Sequence, residues 1–92
     1  MPILSVEVHP SIRPDEMPSV VETDLKNHTI IEGIDLVLSE YRDLKIQILS
    51  GGKLNPGYLI FSKKTELSSM GLLDMRLYKD ILIKIVPILH GG

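Results

Sequence analysis

The sequence has no cysteine, no tryptophan and a single phenylalanine. Without cysteine there can be no disulfide, no thiolate nucleophile and no cysteine-ligated metal, so packing alone must hold the fold. Aromatic residues make up 4% of the chain, which leaves Ile, Leu and Val to build the core. No apolar run approaches the ~20 residues that span a bilayer. Met1-Pro2-Ile3 does not open a signal peptide with a basic first region, so the expected address is the cytoplasm, with no membrane partner. Ten Lys and Arg stand against twelve Asp and Glu, interspersed, for a formal charge of -2. That leaves no basic stripe for direct nucleic-acid binding. Repeats, low-complexity tracts and linkers are likewise missing. Ninety-two residues then suit one small domain, which buries roughly 60 to 65% of the surface of its unfolded chain. The expected division is a folded domain over residues 1–88 and a flexible tail over 89–92.

What is present reads as alternating strands around one helix. Ile3 to His9 alternates, with Leu4, Val6 and Val8 on one side and Ser5, Glu7 and His9 on the other, which predicts a half-buried strand. Pro10, Pro14 and Pro18 then exclude a central strand and predict a turn or wide loop, after which Ser19–Thr23 is β-branched enough to return as a strand. Thr29 followed by Glu32 fits a capping box, and Ile30, Ile31, Ile34, Val37, Leu38 and Tyr41 recur at helical spacing, which predicts a helix over about 30 to 42. Gly33 inside it costs about 1 kcal/mol relative to Ala and marks a close approach to the sheet. Leu44 to Leu49 alternates and predicts a strand with Ile46 and Ile48 inward and Lys45 and Gln47 outward. Turn residues over 50–57 lead to a strand at Tyr58–Ser62. Between 63 and 80, Glu66, Leu67, Met70, Leu72, Leu73 and Leu77 predict a short helical turn or irregular strand over one edge of the core, bent at Gly71. The last strand, about 81 to 88, turns Ile81, Ile83 and Ile85 one way and Leu82, Lys84, Val86 and Ile88 the other. Strands bracketing one amphipathic helix predict an α+β layer with one sheet face exposed.

That last strand runs straight into Leu89-His90-Gly91-Gly92. A terminal Gly pair is expected to stay mobile. At ~3.3 Å per residue the tail would hold the Gly92 carboxylate ~13 Å beyond the sheet. Glycines without Cβ can pass a slot that any side chain would block. The carboxylate is therefore the candidate reactive group, with Leu89, His90 and Gly91 threading into a partner.

Asn55-Pro56-Gly57 entering a strand, the spacing of Gly71, Asp74 and Leu77, and above all Leu89-His90-Gly91-Gly92 resemble the ubiquitin-related modifiers. These are β-grasp, ubiquitin-like proteins that double as sulfur carriers, and the resemblance is strongest from Pro56 to Gly92. It implies a mixed sheet packed on one main helix and no enzymatic activity or bound cofactor in the chain itself. It also implies that an adenylating, ubiquitin-activating-like enzyme uses ATP and magnesium to join Gly92 to AMP. A sulfur donor would then give a thiocarboxylate, for a tRNA thiolation enzyme or for an isopeptide bond to lysines of target proteins. The small subunit of molybdopterin synthase and the thiamine-pathway sulfur carrier share fold and Gly-Gly end, so a dedicated carrier of that kind is an alternative. An inert β-grasp interaction module is another.

The remaining motifs point to little chemistry. Gly51-Gly52 lacks the Lys-Ser/Thr of a phosphate loop and predicts a turn. His9, His28 and His90 lack ligand spacing, so no metal is expected. Glu7, Glu22, Asp35 and Glu40 are scattered with nothing to pair them as acid and base, so no catalytic residue is assigned. Leu82, Val86 and Ile88, joined by Leu59 or Phe61 on a neighbouring strand, form an apolar row interrupted by Lys84. Either one such row is core and the connecting segment covers the other, or it is a docking patch for a partner.

Overall fold

Alternation at the N-terminus sets the first strand in the computed structural model, which describes residues 2–68 and 71–88. Strand β1 (Ile3–Val8) buries Leu4, Val6 and Val8. Strand β2 (Val20–Asp24) returns antiparallel beside it, and the proline-bearing segment forms the loop between them.

Helix α1 (Ile30–Leu38) begins at the predicted capping box. The Thr29 hydroxyl oxygen accepts from the Glu32 backbone N–H at 3.2 Å, and Glu32 Oε1 accepts from the Thr29 N–H at 2.8 Å. The Thr29 backbone N–H foremost, and then the Thr29 side chain, hold the Glu32 carboxyl below its usual pKa by hydrogen bonding to it. The helix buries Ile30, Ile31, Ile34, Val37 and Leu38 against the sheet. A Cβ added at Gly33 would lie 2.6 Å from Leu25 Cδ2 and 2.8 Å from Leu4 Cδ2, so the expected close approach is present. The helix stops at Leu38, short of the expected 42. The Ser39 hydroxyl donates to the Asp35 carbonyl at 2.7 Å and the Tyr41 N–H to that of Leu38 at 2.8 Å, which turns the chain at that point.

The strand expected over 44–49 is instead a second helix, α2 (Arg42–Ile48). Leu44 and Ile48, four residues apart, share its buried face, while Ile46, expected inward, is 72% exposed. A run this short fits both periods, and two tertiary contacts favour the helix. Lys45 Nζ meets Asp35 Oδ1 of α1 at 2.9 Å. The Asn55 side-chain amide donates to the carbonyls of Gln47 at 2.9 Å and Ile46 at 3.3 Å, which satisfies acceptors that the helix end leaves free.

Leu49 then opens a minimal hairpin, β3 (Leu49–Ser50) with β4 (Lys53–Leu54). Gly51 and Gly52 have φ of 57 and 78, the left-handed pair that a two-residue hairpin turn requires. Strand β5 (Tyr58–Ser62) pairs with the short β6 (Thr65–Glu66). The segment expected to be either a helical turn or an irregular strand contains both, because β6 is followed by one 3-10 turn at Leu72–Asp74. Leu67 and Leu73 are buried, Leu72 and Leu77 pack on the core, and Met70 lies outside the described residues.

Strand β7 (Ile81–Pro87) completes a sheet of order β2-β1-β7-β5-β6. It runs parallel to β1 and antiparallel to β5, so the first and last strands meet at the middle. Leu4, Val6, Ile60, Ile83 and Ile85 face Ile34 and Leu38 in an aliphatic core, as the low aromatic content predicted. The expected mixed sheet packed on a main helix is present, with α2 added.

Candidate functional site

Because Ile60, Ile83 and Ile85 are buried, the residues between them in β5 and β7 face the other side of the sheet. Register brings them together. Leu59 lies opposite Val86, and Phe61 lies opposite Lys84. Leu82 is 52% exposed and Ile88 40% exposed, with Leu59, Phe61 and Val86 half-buried. Of the five patch residues singled out in the sequence, Leu59, Phe61, Leu82 and Val86 thus share the outward face of two neighbouring strands, and Ile88 follows directly on the end of β7. The connecting segment covers the opposite, inner side, where Leu67 and Leu73 enter the core.

The cation inside this row has a partner that the sequence did not reveal. Glu7 of β1 sits in register with Lys84, and its Oε2 lies 3.1 Å from Lys84 Nζ. The pairing joins residues far apart in sequence, and alternation within each strand carries no signal of it. Half-exposed, the pair contributes little stability. Its consequence is that the apolar row contains no net charge at that point.

At the far end of β7, Pro87 has no backbone donor, and the next N–H, that of Ile88, donates to the Gly57 carbonyl at 2.7 Å. The turn at Asn55-Pro56-Gly57 thereby holds the root of the last segment against the sheet. On the other flank the His9 N–H donates to the Ile85 carbonyl at 2.9 Å. Leu89, His90, Gly91 and Gly92, the expected tail, lie outside the described residues.

Among the described residues no group of three or more His, Asp or Glu is gathered as a metal site, and no helix is long and apolar enough to cross a membrane. The sequence matches no protein-family model and no curated protein. The structure, by contrast, is similar to solved ones along nearly its whole length. Small archaeal modifier protein 1 from Methanosarcina acetivorans superposes with a TM-score of 0.78 at 18% identity, covering 100% of this chain and 98% of that one. The same-named protein from Haloferax volcanii gives 0.76 at 12% identity, covering 98% and 99%. A chain of the Amycolatopsis orientalis BexX/CysO complex gives 0.74 at 22% identity, covering 97% and 99%. This is the ubiquitin-like β-grasp fold. At these identities the likeness establishes architecture. The β-grasp sheet presents its apolar row on the face away from α1, and β7 carries that row to the point where the final four residues begin.

Proposed function

We propose that this chain is a ubiquitin-like carrier and modifier, held by the outward face of its sheet and reactive at the carboxyl of Gly92, in the cytoplasm. One observation carries the reading. The strand at the middle of the sheet bears Leu82 and Val86 and ends at Pro87, next to Ile88, whose N–H donates to the Gly57 carbonyl, and in the sequence Leu89-His90-Gly91-Gly92 follows directly. The likeness to two small archaeal modifier proteins supports it.

The chemistry follows from the electrophile. A carboxylate is resonance-stabilised and resists attack. An adenylating enzyme, with ATP and magnesium, joins a Gly92 carboxylate oxygen to the α-phosphorus and releases pyrophosphate. A persulfide then attacks the acyl carbon and AMP leaves. Cleavage of the sulfur–sulfur bond by a second thiol gives the thiocarboxylate and a disulfide on the donor. That product passes sulfur to a tRNA thiolation enzyme, or the activated acyl carbon takes a lysine amine to form an isopeptide. In this reading the chain is substrate and donor, not enzyme. Its contributions are an unhindered acyl carbon and a narrow approach. Docking through the apolar row separates affinity from chemistry in space.

Incubation with the adenylating enzyme, ATP and a sulfur source should replace one oxygen by sulfur, and fragmentation should place the change at Gly92. An unchanged mass with an enzyme competent on another carrier would leave an inert β-grasp module. The likeness to a chain of the BexX/CysO complex favours a second reading, a carrier dedicated to one biosynthetic enzyme, as in molybdopterin or thiamine synthesis. Cells lacking the chain separate the two. Loss of thiolated tRNA or of lysine conjugates supports the modifier, and loss of one cofactor alone supports the dedicated carrier.

A further inference from the structure

Strand β7 is incompletely covered on one side. β1 pairs with it from Ile81 to Ile85, whereas β5 pairs with it only from Lys84 to Pro87. Beyond Phe61, β5 turns into its hairpin with β6 through Lys63, whose backbone is left-handed at φ 56. No described strand therefore lies beside Ile81–Ile83 on that side. The gap opens into a groove of about 820 Å³ walled by Phe61, Leu67, Leu72, Met75, Leu77 and Leu82. An unpartnered stretch of a central strand, flanked by apolar side chains, is a template for a further strand. Main-chain hydrogen bonds supply affinity there, and pockets for alternate side chains supply specificity.

Charge selects the occupant. The charged residues lining the groove are Glu7, Lys63, Asp80 and Lys84. Lys84 is neutralised by Glu7 at 3.1 Å, and the Asp80 carboxylate accepts from the Ile3 N–H at 2.8 Å. Lys63 has no ion pair among the described residues. The four charges sum to zero, and the two without an ion pair are the Asp80 carboxylate, held by that backbone N–H, and the exposed Lys63 ammonium, which stands at the β5–β6 turn beside the open edge.

We propose that this groove takes an extended segment of a partner protein, which lies beside Ile81–Ile83 as an added strand, sets apolar residues at alternate positions into the slot and places an Asp or Glu on Lys63. The open edge is short, so the contact is a weak, exchangeable one. Leu82 and Ile88 stand six positions apart, about 20 Å along the chain, so the slot can be filled while another protein holds the Val86–Ile88 end of the row. The proposal goes beyond the chemistry at Gly92 and does not depend on it.

The test begins with selection of displayed random ten-residue segments on the full chain. Enriched sequences should alternate apolar residues and carry an acid. A synthetic peptide of the enriched sequence, titrated into isotopically labelled protein, should shift the amides of residues 61–65 and 81–83. Lys63→Glu, at an exposed turn, should weaken binding at least tenfold, Leu36→Ala should leave it unchanged, and methylation of alternate peptide amides should abolish it. Protein lacking Gly92 should bind equally well, which keeps this result separate from that of the activation assay. Absence of enrichment, helical spacing in the selected sequences, shifts confined to β2 or to the Leu59–Val86 face, or indifference to Lys63→Glu would each overturn the proposal.

Discussion

Gly33→Ala sets helix propensity against packing, and the structure decides the sign. On an exposed helix the change stabilises by about 1 kcal/mol. Here the new methyl would meet Leu25 Cδ2 at 2.6 Å and Leu4 Cδ2 at 2.8 Å. Both contacts are with the ends of flexible side chains, which ordinarily yield cheaply. These two are 1% and 0% exposed, however, and have no open space to move into. Overpacking of a close-packed core costs about 1–3 kcal/mol, and the upper half of that range applies where two contacts fall below 3 Å. The net expectation is a loss of about 1–2 kcal/mol, or ~5–15 °C in Tm for a domain of this size. Urea unfolding of the two proteins should give parallel slopes and a lower midpoint for the variant. Leu25→Ala supplies the control. It creates a cavity and destabilises by about 2–5 kcal/mol. In that background Gly33→Ala should be neutral or stabilising, because half of the clash is gone. A Gly33→Ala protein more stable than its parent by the full propensity gain would refute the close approach of α1 to β1, and with it the way the sheet is shown to turn its apolar row outward.

Other expectations are simpler. Thr29→Ala removes the cap and should cost about 1 kcal/mol at neutral pH, measured by urea unfolding. The Glu32 carboxyl is held below its usual pKa, so its contribution is present above the unfolded-state value and is lost as pH falls through the folded one. Alanine keeps the backbone N–H that contributes most and removes only the side-chain bond, so the gap between parent and Thr29→Ala should narrow only slightly in acid, and the Glu32 titration followed by NMR should move modestly upward in the variant. Asn55→Ala frees two carbonyls at the end of α2 and should cost about 1 kcal/mol, with faster amide exchange confined to the last turn of that helix. Lys84→Ala removes a half-exposed ion pair and should change stability by less than about 1 kcal/mol in salt titrations.

Legibility in the sequence followed the range of the interactions. Strand β1, the Thr29–Glu32 cap and the buried face of α1 are local patterns, and each is where the alternation or helical spacing placed it. Helix α2 was not legible, because Leu44, Ile46 and Ile48 satisfy a period of two as well as Leu44 and Ile48 satisfy a spacing of four. The deciding contacts, from Asp35 and Asn55, come from outside the segment. The same holds for the candidate site. Its outward residues could be named from alternation in β5 and β7, but the neutralisation of Lys84 by Glu7 depends on the parallel pairing of the first and last strands. So does the open edge at Ile81–Ile83, which exists only because β5 leaves β7 after Phe61.

The most direct test of the central claim is ATP–pyrophosphate exchange by the adenylating enzyme as the concentration of this protein is varied. Val86→Asp, on the docking row, should raise the half-saturating concentration while the maximal rate stays near that of the parent. Loss of Gly92 should abolish exchange yet leave a protein that still competes with the parent for the enzyme. Undiminished exchange without Gly92, or a Val86→Asp protein that saturates the enzyme like the parent, would contradict the account.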